Sequence, residues 1–69
     1  MIGVVYKDIE NIEEINKTLV RKEDLLIPSV GDEIVFQNNG KSRLRKVTGC
    51  QFIFDEKKRE VRDIIIYLK

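Results

Sequence analysis

The side chains with most chemistry to offer are bases. Lys41, Arg43, Arg45 and Lys46 place four positive charges within six residues, with no acid between them. On an extended chain, Lys41, Arg43 and Arg45 project from one face at intervals of about 6.6–7 Å. Such a ladder suits phosphate or carboxylate oxygens, and an arginine can fork onto either. A second run, Lys57-Lys58-Arg59, follows Asp55-Glu56 in what reads as a turn. Both runs also have a plain structural use. Bases on the solvated face of a hairpin guard an edge strand against aggregation, and a charged turn keeps a chain soluble. These seven residues form the candidate ligand-binding set, and the sequence leaves open whether the two runs meet in space.

The other side chains point away from catalysis. There is no His, so the usual proton shuttle near neutral pH is missing. Ser29 and Ser42 have no evident activating partner, and the four glycines are single, so no phosphate-cradling loop is formed. Acids cluster in adjacent pairs such as Glu13-Glu14, Asp32-Glu33 and Asp55-Glu56. Neighbours on a strand point to opposite faces and make poor paired carboxylates. One Cys without His supplies too few soft ligands for structural zinc, and one Cys closes no internal disulfide. The expectation is a protein that is not an enzyme and uses no metal or cofactor.

Composition narrows the setting. The 69 residues permit a single domain, 1–69, with 13 Lys+Arg against 12 Asp+Glu. A chain this short buries only about 60% of its unfolded surface, and small folds usually need a staple. With disulfide and metal set aside, a partner subunit is the staple left. Residues 1–35 hold four bases and eight acids, net −4; residues 36–69 hold nine bases and four acids, net +5. That polarity can steer an anionic partner or favour self-association. No signal peptide or membrane span is read, and a lone Cys50 fits a reducing compartment, so the expected location is cytoplasmic.

The elements that must position the bases follow from periodicity. Residues 2–7 read as a strand with Ile2, Val4 and Tyr6 on one face. Ile9, Ile12, Ile15 and Leu19 recur at three- and four-residue steps, and Asn11 to Glu14 fits a capping box, with Asp8 a rival cap. This predicts a short helix over about 9–17 that must pack on something. Pro28 holds Ile27 extended, and Ser29-Val30-Gly31-Asp32 reads as a turn into a strand over 33–37. Asn38-Asn39-Gly40-Lys41 is a hairpin signal. Residues 42–54 read as a long strand bent near Gly49, and 61–68 as the last strand after the charged turn.

The last strand is apolar on both faces: Ile64, Ile66 and Leu68 on one, Ile65 and Tyr67 on the other. With Val5 and Val47, the second set suggests an apolar surface that either the short helix covers or a second subunit does. Val5, Val47, Ile65 and Tyr67 are therefore the candidate oligomer interface. The aromatics Tyr6, Phe36, Phe52, Phe54 and Tyr67 read mainly as core, and Cys50 as a small apolar residue rather than a reactive thiol.

The stretch Leu26-Ile27-Pro28-Ser29-Val30-Gly31-Asp32-Glu33-Ile34-Val35-Phe36 begins a pattern. With the Asn-Gly hairpin, the basic-then-aromatic strand, the charged turn and Ile64-Ile65-Ile66-Tyr67-Leu68, it resembles small bacterial and bacteriophage proteins with a Src-homology-3-like β-barrel. The resemblance covers about residues 25–69 and lies at the level of fold. It implies a non-catalytic accessory protein and supplies no site residues. The expected fold is mainly β (α+β): a small, Src-homology-3-like, strongly bent antiparallel sheet or barrel of about five strands, with one short helix near residues 9–17. The expected function is stoichiometric binding, as a homo-oligomer. It would inhibit a host protein or sequester a small anionic ligand such as a nucleotide, as a phage or mobile-element accessory protein with an anti-defence role. The alternative is a nucleic-acid-binding small barrel.

Overall fold

Five stretches of alternating or β-branched residues pair into one sheet. The computed structural model describes residues 1–10 and 14–69, the side chains of 14 and 15 aside. The strands are β1 (Ile2–Asp8), β2 (Glu14–Val20), β3 (Glu33–Asn38), β4 (Lys41–Asp55) and β5 (Glu60–Leu68), with a 3-10 turn at Lys22–Asp24. Their order across the sheet is β2-β1-β5-β4-β3. The fold is the mainly β, five-stranded, strongly curved one expected. Strand direction alternates along the chain, so β1 and β5 run the same way. Because they are neighbours, that pair is parallel, while the other three pairs are antiparallel. The sheet is mixed, not wholly antiparallel.

Contacts between non-adjacent strands show the curl. β1 and β3 are separated by β5 and β4, so a flat sheet would hold them about 14 Å apart. Instead the rings of Tyr6 (β1) and Phe36 (β3) meet edge to face with centroids 5.3 Å apart. The result is a half-barrel with its edges, β2 and β3, turned toward one another. Its concave face carries the core: Ile2, Val4, Val47, Ile64, Ile66 and Leu68, flanked by Tyr6, Val20, Leu25, Ile34, Phe36, Cys50 and Val61.

The helix expected over 9–17 is not formed by its described part. Residues 14–20 are strand β2, paired antiparallel with β1. Ile9 and Leu19, two members of the supposed helical face, are exposed. Asn11 and Ile12 lie outside the described residues, as does the Ile15 side chain. The physical reason is an open edge. β1 pairs with β5 on one side only, and a returning strand satisfies its other row of backbone groups better than a helix could. Along β2, Asn16, Thr18 and Val20 stand across from the inward-facing Tyr6, Val4 and Ile2.

The bend in β4 is a bulge next to the glycine expected to mark it. Register slips between Val47 and Gly49, leaving Thr48 unpaired, and its hydroxyl donates to the Tyr67 carbonyl oxygen at 3.2 Å. The slip inverts the alternation, so Val47 and Cys50 both face the core. At the same place Asp32 and Gly31 attach to β4: Val47 N–H donates to Asp32 O (2.8 Å) and Gly31 N–H donates to Val47 O (2.9 Å). The Ser29–Asp32 turn is thereby pinned where the sheet curls. Among the described residues, no helix is long and apolar enough to cross a membrane.

The β3–β4 hairpin is set by Asn39 and Gly40, with φ of 51° and 79°. Two successive left-handed residues define the primed turn that matches strand twist. Gly40→Ala puts a Cβ into that region and is expected to cost about 1–2 kcal/mol. A urea titration followed by circular dichroism measures it; an unchanged midpoint would mean the turn tolerates another geometry.

A candidate anion-binding cleft at the open seam

Two-residue hairpins fix cross-strand neighbours rigidly. Asn38 pairs with Lys41, Phe36 with Arg43 and Ile34 with Arg45. Ile34 and Phe36 flank the core, so Lys41, Arg43 and Arg45 project on the concave side with them. There they line a cleft of about 510 Å3 together with Asn16, Phe36, Gln37, Asn38 and Asn39. Asn16 comes from β2 and Phe36 to Asn39 from β3 and its turn, so the cleft sits where the two sheet edges face each other. Among the described residues, the lining holds three bases, four carboxamides and an aromatic ring, and no acid.

The three bases are not equivalent. Arg45 Nη2 donates to Asp8 Oδ2 at 2.8 Å, and its Nε donates to the Lys69 main-chain oxygen at 3.1 Å. Asp8 Oδ1 accepts from the Glu10 backbone N–H at 2.8 Å. The arginine and aspartate side chains are 13% and 22% exposed. Arg45 is thus a structural tie between β1, β4 and the end of β5 that also lines the cleft. Lys41 and Arg43 are exposed and are the groups best placed to meet an anion. Their charge is reinforced by amides that both donate and accept, the mixture that an organic anion with polar edges requires.

The other candidate residues fall elsewhere. Lys46 stands opposite Glu33 in the β3–β4 register, on the face away from Arg45. Lys57, Lys58 and Arg59 lie in the β4–β5 turn at the far end of β4, where Asp55 Oδ1 accepts from the Lys57 and Lys58 backbone N–H groups at 3.0 and 3.2 Å. Arg59 takes a left-handed φ of 56° and lines a different cleft. The two basic runs therefore do not converge on one patch.

The expected second apolar surface is also redrawn. Val47 is 1% exposed in the core, because the bulge turned it inward. Val5 lies on the opposite, convex face but is buried, between register neighbours Lys17 and Ile65. Neither has area to give a partner. Ile65 and Tyr67 are half-buried on the convex side, and the Tyr67 hydroxyl donates to Gln51 Oε1 at 2.6 Å. Cys50 packs beside the core with Sγ 3.7 Å from the Pro28 oxygen, and burial pushes its thiol pKa up. That direction disfavours the thiolate and any nucleophilic role.

Phe36 as a cleft residue was within reach of the sequence, since a two-residue Asn-Gly turn dictates that it faces Arg43. Asn16 and Asp8 gave no such signal. Comparison with models of known families, with curated proteins and with solved structures yields no match. Among the described residues, no cluster of three or more His, Cys, Asp or Glu is placed to hold a metal ion.

Proposed function

We propose that the chain is a non-catalytic binding module that takes up a small organic anion, such as a nucleotide, in the seam cleft. One observation carries this reading: Lys41, Arg43 and Arg45 project to one side of a hairpin and line one cleft with carboxamides and Phe36, with no acid among its described lining residues. Its volume, about 510 Å3, lies in the range of small-ligand sites. Phosphate oxygens would meet Arg43 and Lys41, and Asn16 and Asn38 would meet the polar edges of the remainder. A cytoplasmic accessory protein of a phage or mobile element that withdraws a nucleotide from its host fits this behaviour and the resemblance of residues 25–69. The same charges would also attract a nucleic acid. A single compact cleft favours the small ligand over a long backbone track, because Lys57 to Arg59 do not extend it.

Calorimetry with mono-, di- and cyclic nucleotides tests the reading. At least one should bind, weakening as salt rises from about 50 to 200 mM. Arg43→Ala should lower affinity about 10-fold or more, the worth of a charge-assisted hydrogen bond. Absence of heat with every nucleotide overturns it. Binding of a single-stranded oligonucleotide but of no mononucleotide would replace it with the nucleic-acid reading.

A further inference from the structure

The concave face holds a second cleft, chemically unlike the first. It has a volume of about 560 Å3 and lies at the other end of β4. Ile27, Phe52, Phe54 and Val61 line it above the buried Ile64. Phe52 and Phe54 are 54% and 56% exposed, although they stand on the core-facing side of β4 across from Ile64 and Val61. Two phenylalanines following the inward alternation of a strand are core residues by pattern. Here the described residues leave more than half of each ring uncovered.

The exposed area says how much covering is missing. The chain exposes 5564 Å2. A compact monomer of 8.1 kDa exposes about 4,500 Å2, so the excess is about 1,000 Å2. The radius of gyration points the same way, 12.7 Å against about 11 Å for a compact chain of this length. A stable protein–protein contact buries about 800 Å2 on each partner. The surplus is therefore enough for one such contact, and the groove is where its aromatic part lies.

We propose that the occupant is a second copy of this chain, docked groove to groove about a two-fold axis. In such an interface the same patch meets itself, so its rim must be electrostatically self-complementary. This groove has charges of both signs to offer: Lys22, Arg59 and Glu60 all line it. A two-fold can set a base of one copy against an acid of the other. The seam cleft lacks this property, since three bases facing three bases repel. Pairing through the aromatic groove leaves the seam open, so the dimer and the anion site are independent.

Sedimentation velocity over about 1–100 µM, the range in which contacts of this size associate, reads the outcome. The mass is expected to rise from 8.1 kDa to about twice that value. Phe54→Asp is expected to weaken dimerisation by at least about 30-fold, the loss of a central aromatic anchor. Ile27→Asp, on a loop and exposed, should do the same with no strand altered, which guards against a misfolded Phe54 variant. Leu19→Asp, exposed on the convex side, should leave the dimer intact. A wild-type mass of 8.1 kDa throughout overturns the proposal. So does a dimer that survives both groove variants, or one that Leu19→Asp disperses.

Discussion

Ile66→Ala is expected to leave the chain largely unfolded at room temperature. Ile66 is 1% exposed in β5, the middle strand of the sheet. It faces Tyr6 on β1 and Cys50 on β4, so its side chain joins both halves of the half-barrel. Truncating a buried isoleucine to alanine costs about 2–5 kcal/mol, and the cost is highest where rigid neighbours cannot collapse into the hole. Ile64 and Leu68, 1% and 0% exposed, hold the cavity open on either side. A domain this small has a margin of only about 3–5 kcal/mol, so the loss is comparable to the whole. Leu44→Ala sets the contrast. Leu44 is apolar and on β4, but 60% exposed, and its truncation should move stability by no more than about 0.5 kcal/mol. Thermal and urea melts by circular dichroism, at one protein concentration, measure both. An Ile66→Ala protein within about 1 kcal/mol of wild type would show that β5 is not the centre of the fold.

That contrast locates what the sequence could convey. Ile64, Ile66 and Leu68 announce themselves as core through a period of two uninterrupted by charge, and β5 is where the pattern places it. The Asn39-Gly40 turn fixes the β3–β4 register, and with it the side on which Lys41, Arg43 and Arg45 stand. β2 was hidden because Ile9, Ile12, Ile15 and Leu19 satisfy a helical period. The choice was made instead by the vacant edge of β1, a tertiary fact. Val47 was hidden for a different reason. Parity along a strand holds only until a bulge, and nothing in Lys46-Val47-Thr48-Gly49 states whether the extra residue precedes or follows Val47. The cleft was half legible. Its bases come from one hairpin, whereas Asn16 arrives from the opposite edge only because the sheet curls.

The least legible residue beside the cleft is Asp8, 37 residues from its partner Arg45. Asp8→Asn should lower stability and raise anion affinity together. Two other ion pairs described, Arg21–Asp24 and Arg62–Asp63, each have an arginine more than half exposed, and such pairs are worth about 0–1 kcal/mol. Arg45–Asp8 is different, with both side chains mostly covered. Breaking a buried pair by removing one charge costs about 3–5 kcal/mol at full burial, and partial solvation here reduces that to about 2 kcal/mol. The asparagine keeps the volume and an oxygen for the Glu10 N–H while removing the charge. In the cleft the sign reverses. The carboxylate offsets the positive potential of Arg45, and its neutralisation should strengthen binding of an anion by about 3- to 10-fold at low salt, with the gain shrinking as ionic strength rises. Arg45→Met removes the same tie and one of the three bases, so it should lower stability and affinity alike. A nucleotide titration and a urea melt on each variant separate the two roles. If Asp8→Asn weakens binding in step with stability, Asp8 shapes the cleft instead of tuning its charge, and Arg45 is a strut with no part in holding the ligand.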